Sequence, residues 1–310
     1  MASAVFLLYL ATLVPNLAGA SFSFQTGDRV TFIGNTFAER MRFDGWFETM
    51  LLARFPNHDL VFRNLGWSGD TVKLRPRPKD FGDLFTHLQR QRADVIVACF
   101  GMNESFDYDG ETGLEAFAND LRTFLRRLRQ LNGESAPRII LVSPTPMENH
   151  GAPLPEAGPR NRILASYVAT MQIVARELEL PFIDLFNPWR KQFDHPRQPL
   201  LTINGMHLTE QGYYQAARLM LEALGEQAPN DSAKLNDLRQ SVVRKNRAFF
   251  DLWRAVNGEY IYGRRNPRDS SFPGGIPLTG ELATLEEKIL AMDAAVHQHC
   301  RRLNLDGREP

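Results

Sequence analysis

Between residue 28 and about residue 225, short apolar runs alternate with longer amphipathic stretches. The runs fall at 30–33, 60–65, 95–100, 139–142 and 182–185. Each is rich in β-branched or aromatic residues and is too short for a buried helix. Each is followed by a segment whose apolar positions recur at helical spacing. Five such repeats predict a five-stranded parallel sheet covered by helices on both faces, because parallel neighbours need a crossover and the helix is that crossover. In open sheets of this kind, ligand sites form beyond the carboxyl ends of the strands. The residues just after each run therefore carry most of the functional information.

Residues 226–310 follow a different pattern. A helix is predicted over 231–256, with Leu235, Leu238, Val242, Phe249 and Leu252 spaced by about a turn or its multiples. A Gly-, Pro- and Arg-rich connection covers 257–280. A last helix runs from 281 to about 303, with Leu282, Leu285, Ile289, Met292, Val296 and Leu303 in a heptad-like stripe. Such stripes usually mark a core-facing helix. The extension is thus read as two helices packed on the main domain or on each other; the alternative is an arm for self-association or docking.

The first twenty residues contain no charged side chain. An apolar run from Ala4 to Val14 is broken by Pro15, and Ala18-Gly19-Ala20 fits a small-x-small cleavage site. This reads as a secretory leader cut after Ala20, which would place the protein outside the cytoplasm, secreted or periplasmic. The alternative is an uncleaved membrane anchor, although the run is short for a bilayer.

Composition narrows the classes. With 43% hydrophobic residues in 310, there is ample material for a large core. Lys+Arg and Asp+Glu stand at 36 each, so no net charge favours nucleic acid or an anionic membrane as the main partner. The two cysteines, Cys99 and Cys300, make neither a disulfide framework nor a zinc knuckle. His87, His150, His195 and His207 lack ligand spacing, so no metal and no cofactor is expected.

Four blocks follow the runs in order. They are Gly34-Asn35-Thr36, the stretch from Asn64 through Gly69 to Thr71, Gly101-Met102-Asn103-Glu104, and Asn204-Gly205-Met206-His207. Over residues 28–225 the chain resembles the SGNH, or GDSL-type, esterase and lipase superfamily. The resemblance implies a flavodoxin-like three-layer α/β/α domain with a C-terminal helical extension. It also implies roles. Thr36 occupies the nucleophile's place. The backbone N–H of Gly69 and the side-chain amide of Asn103 would form the oxyanion hole. His207 would be the base, and Asn204 stands where the family has its acid. Two departures stand out: Gly-Asn-Thr replaces Gly-Asp-Ser, and Asn-x-x-His replaces Asp-x-x-His.

Both departures have chemical consequences. Threonine keeps a hydroxyl, but its methyl stiffens χ1 and crowds an incoming carbonyl. Asn204 can orient the His207 ring through its side-chain oxygen yet stabilises an imidazolium less than a carboxylate would. Asn35 is a good helix cap in its own right.

The expected activity is hydrolysis of an ester, with an acetylated carbohydrate as one substrate class and a small-molecule or glycan ester as the partner. An alternative is a binding protein that keeps the pocket but has lost turnover. Asn35, Trp67 and Glu104 are expected near the pocket. Trp67, Phe106, Tyr108 and Trp189 are candidates for stacking on sugar rings. The basic stretch Lys73, Arg75, Arg77 and Lys79 is either an attractor of anionic substrates or a solvated loop.

Overall fold

The computed structural model describes residues 22–79, 81–133, 135–193, 199–229, 232–255 and 278–303. Residues 1–20, where a leader is expected, His195 and most of the 257–280 connection lie outside these residues. In chain order the elements are β1 (Arg29–Gly34), α1 (Thr36–Asp44), α2 (Trp46–Arg54), β2 (Val61–Asn64), α3 (Leu84–Gln91), β3 (Val95–Cys99), α4 (Glu104–Asp107) and α5 (Leu114–Arg129). There follow β4 (Arg138–Val142), α6 (Ala157–Glu177), β5 (Phe182–Ile183), α7 (Phe186–Phe193), α8 (Glu210–Ala223), α9 (Ser232–Ala255) and α10 (Leu278–Arg302). All five expected strands form, in a single parallel sheet of order β2-β1-β3-β4-β5.

Alternation along the strands divides the core between two helical layers. Val95, Val97 and Cys99 pack with α1, α2 and α8, while Ile96 and Ala98 pack with α3, α5 and α6. Both sets are fully or almost fully buried, so β3 reads as a continuous apolar run. The strand order reverses direction between β1 and β3, whose last residues, Gly34 and Cys99, are register partners. A crevice at this switch point is where the topology places a ligand.

The C-terminal helices pack against this domain and against each other. Leu235, Leu238 and Val242 of α9 join one core layer; Ala248, Phe249 and Trp253 join the other. The helix thus crosses the β2 edge of the sheet and covers a strand that would otherwise present unpaired backbone. The buried leucine, valine and phenylalanine side chains among these each contribute about 2 kcal/mol relative to exposure.

Buried charge fixes the register of both helices. Glu48 of α2 accepts from Lys245 Nζ and, at 2.9 Å, from Asn246 Nδ2. Arg63 of β2 forms a two-point pair with Asp293 of α10 at 3.2 and 2.6 Å. Removing one member of such a pair leaves a buried charge uncompensated, a loss of about 3–5 kcal/mol.

Candidate active site

The corner that carries Thr36 is built by close approach. Gly34 has φ 127°, and a Cβ there would stand 2.0 Å from the carbonyl oxygen of Cys99. Only glycine lets β1 turn directly into α1 at that point. Asn35 caps the helix, its Oδ1 accepting from Phe37 N at 3.0 Å. Asn keeps the turn where the family has Asp, because capping needs an oxygen acceptor rather than a charge. Thr36 is the first helical residue, so its own N–H has no intrahelical partner and lies at the positive end of the helix. Among the described residues, no hydrogen bond joins the Thr36 hydroxyl to His207.

The second and third blocks are tied together by Glu104. This side chain is fully buried, and its two oxygens accept from Val72 N at 2.9 Å and Gly101 N at 2.7 Å. Burial pushes its pKa up to about 7 despite those two bonds. Asn103 Nδ2 donates to the Asp70 carbonyl at 3.0 Å, which leaves its second amide hydrogen for another acceptor. The turn carrying Gly69, at φ 88°, is held by Ser68, whose N–H and hydroxyl both donate to Glu39 Oε2 at 2.6 Å.

His207 lies in an irregular loop between residues 201 and 208. Thr202 and Leu208 form an isolated antiparallel bridge, and Ile203 N donates to the His207 carbonyl at 2.7 Å. Asn204 Oδ1 accepts from Met206 N at 3.3 Å, from His207 N at 3.1 Å and meets His207 Nδ1 at 3.1 Å. Two backbone donors identify that atom as the oxygen, so His207 Nδ1 carries the hydrogen and Nε2 is left as a bare acceptor. That is the tautomer a general base requires.

The first, third and fourth blocks converge on one small cavity of about 30 Å3. Asn35, Thr36, Asn103 and His207 line it together with Ser143 and Thr145. Its remaining wall is apolar: Phe37, Cys99, Phe100, Met102, Pro144, Met206, Leu208 and Tyr213. Burial lowers the His207 pKa below the usual imidazole value, and the nearby Arg40 guanidinium lowers it further. Burial also drives the Cys99 thiol far above its ordinary range, which leaves it an inert part of the wall. A hydroxyl, a bare imidazole nitrogen and an amide donor facing one apolar space suit attack on a carbonyl.

Several residues expected at the pocket are placed elsewhere. Glu104 and Trp67 do not line it, and Gly69 is exposed with open space around its Cα. Trp67 packs against Phe81 and Trp253, between the guanidinium groups of Arg77 and Arg254 at 4.1 and 3.3 Å from its ring. Trp189 is buried and stacks on Phe193. Tyr108 donates to Asp120, and Phe106 is exposed beneath Arg160.

Within the basic stretch Lys73 and Lys79 are exposed, whereas the two arginines turn inward. Arg77 pairs with buried Asp70 at 2.8 and 2.6 Å, and Arg75 donates to the Thr71 and Val72 carbonyls. Desolvated carboxylate and carbonyl acceptors hold these groups, so they are not free to draw in an anion. Asp184 accepts from the N–H groups of Phe186 and Asn187 and caps α7.

Sequence reasoning missed Arg40, Met206 and Tyr213. The first is one helical turn beyond Thr36, a spacing that places both on one face. Met206 adjoins His207. Tyr213 reads as an ordinary core position of α8, and only its hydroxyl, donating to the Phe37 carbonyl at 3.0 Å, reveals a tie to the helix that begins at Thr36.

The architecture is shared with solved enzymes. An acetylxylan esterase from Geobacillus stearothermophilus superposes with a TM-score of 0.52 at 20% identity, over 66% of this chain and 98% of that one. An alpha/beta hydrolase enzyme from the metagenome of Lake Arreo, Spain, gives 0.50 at 20%, over 65% and 97%. A gut microbial diltiazem-metabolizing enzyme gives 0.53 at 20%, over 67% of this chain and 49% of that one. At such identity these likenesses speak to the fold alone. No match emerges among proteins of curated function. Sequence carries the assignment further: residues 18–215, more than half of the chain, match the model of the GDSL-like lipase/acylhydrolase family, and the chain belongs to that family.

Proposed function

We propose that this protein hydrolyses esters of a small acyl group, with Thr36 as nucleophile and His207 as base. One observation carries the reading: His207 is held by Asn204 in the base tautomer and shares a single cavity with Thr36 and Asn103. In the first step the Thr36 hydroxyl adds to the ester carbonyl and its proton passes to His207 Nε2. The tetrahedral oxyanion meets the Asn103 amide, the donor that lines the cavity. Collapse breaks the bond to the alcohol, which takes the proton from the imidazolium. Water, deprotonated by His207, then releases the acid and frees Thr36. Asn204 orients the ring throughout.

The apolar wall suits the acyl portion of the substrate, and the alcohol portion lies toward solvent. An O-acetylated carbohydrate is the substrate class favoured here, supported by the likeness to an acetylxylan esterase. The leader at 1–20 supports an extracytoplasmic glycan over a cytoplasmic metabolite; a mature N-terminus at Ser21 is expected, and one at Met1 would overturn the secretion reading.

Turnover of p-nitrophenyl acetate and acetylated xylan tests the proposal, with Thr36→Ala and His207→Ala beside the native protein. Activity that falls to background in both variants supports it. Activity no higher in the native protein than in the variants overturns it. A second reading, a binding protein without turnover, is favoured by the absence of a Thr36–His207 hydrogen bond among the described residues and by the uncharged Asn204. It predicts saturable binding of an acylated sugar with no release of acid. Activity that survives Thr36→Ala but not His207→Ala points to direct activation of water.

A further inference from the structure

The loop that carries His207 belongs to no helix or strand, so something else must set the ring. We infer that Glu148 and Thr202 form a buried clamp that positions His207. The inference rests on the reading of His207 as the base and assigns residues on which that reading depends.

Glu148 lies on the segment after β4 and is 6% exposed. Its Oε1 accepts from Leu201 N at 3.1 Å; its Oε2 accepts from Thr202 N at 2.7 Å and Thr202 Oγ1 at 2.6 Å. Its own N–H donates to the Gly205 carbonyl at 2.7 Å. One residue thus grips both ends of the 201–205 turn, immediately before His207.

Thr202 relays the grip. Its single hydroxyl proton goes to Glu148, so its oxygen is an acceptor for everything else. It accepts from Gly205 N at 3.0 Å and stands 2.7 Å from His150 Nε2. The latter contact requires His150 to carry its hydrogen on Nε2, which also aims it toward Glu148 Oε2 at 3.4 Å. The more distant Gly205 N, 3.2 Å from the same nitrogen, then belongs to Thr202. Gly205 has φ 84° and a Cβ there would stand 3.0 Å from the Glu148 carbonyl, so the turn fits the clamp as glycine only.

Neither Glu148 nor Thr202 lines the cavity, so neither touches substrate. Both are positioning residues. Their importance follows from Asn204. A carboxylate in that place would hold the imidazole by charge as well as by hydrogen bond; a neutral amide leaves more of the orientation to the rigidity of the loop.

The test uses Glu148→Gln, Thr202→Val and Thr202→Ser in the full chain. Esterase kinetics and thermal melting are followed together with 15N NMR of the His207 ring, assigned by comparison with His207→Gln. Glu148→Gln turns one acceptor into a donor facing a backbone N–H. It is expected to lower kcat at least tenfold with KM within about twofold, and to shift the His207 nitrogens from one tautomer toward an average. Thr202→Val, the milder change, should act in the same direction in a protein that still melts cooperatively. Thr202→Ser, which keeps the hydroxyl, should restore native kcat and tautomer. A folded Thr202→Val with kcat within twofold of native and an unchanged His207 tautomer overturns the clamp, as does a rise in KM alone. If the native protein shows no esterase activity, the functional reading falls, and the NMR result decides the clamp by itself.

Discussion

The two sides of the cavity are made in different ways. Thr36 stands on regular backbone: a strand end, one obligatory glycine, a capping Asn and the first turn of a helix. His207 stands on an irregular loop whose shape comes from buried polar groups 53 and 54 residues away along the chain. The first side is rigid because secondary structure leaves it no alternative. The second is rigid only while every donor and acceptor beneath it is satisfied. Steric change therefore threatens the Thr36 side, and changes in charge or hydrogen bonding threaten the His207 side.

Gly34→Ala should break the first side outright. Its Cβ would occupy the space of the Cys99 carbonyl, in a backbone region that L side chains rarely adopt. A loss on the order of 3 kcal/mol or more is expected in chemical denaturation, with little soluble protein recovered. Near-native stability would show that β1 and β3 can move apart.

Asn204→Asp sharpens the second side. It returns a charge to the partner of His207 Nδ1. An increase in kcat of about tenfold and an upward shift of the His207 pKa are expected. An unchanged kcat would mean that orientation, not charge, limits the base.

Asn35→Ala removes the cap on Phe37 N and is expected to cost about 1 kcal/mol in urea unfolding, whereas Asn35→Asp should be neutral or stabilising at the positive helix end. The comparison separates the structural role of residue 35 from any catalytic one.

The smallest effect is expected from Arg40→Gln. Burial, and then Arg40, lowers the His207 pKa from 6.5, and a base works only when neutral. The acid limb of kcat/KM should therefore lie below pH 6.5 in the native protein. Loss of the cation should move that limb upward. No movement would place the Arg40 charge too far from the ring to matter.

Much of this molecule is legible in its residues. Runs of β-branched and aromatic residues marked all five strands, since a strand buried on both faces needs little more than apolar side chains of the right shape. The stripes at Leu235, Leu238 and Val242 and at Ile289 and Val296 marked buried helix faces. The first three motif blocks could be found because each lies at the end of a strand, where position in the chain predicts position in space; the fourth, 204–207, follows α7 and was legible only as an Asn-x-x-His pattern.

Other readings failed where a buried partner, near or remote in the chain, decided the outcome. Trp67 looked like a sugar platform, but Trp253 of α9 covers it. Arg75 and Arg77 looked free, but local carbonyls and Asp70 hold them. Glu104 looked like a pocket carboxylate, but two backbone N–H groups draw it into the core.

By itself the sequence determined the alternation of strands and helices, the order of the motif blocks and the capped turn that presents Thr36. Those features depend on periodicity, φ restrictions and contacts within a few residues. Only the tertiary structure decided that His207 rests on Glu148 and Thr202, that Arg40 reaches its field, and that the pocket wall is apolar. Those facts depend on which desolvated donor meets which acceptor across fifty or more residues, and no local pattern encodes that pairing.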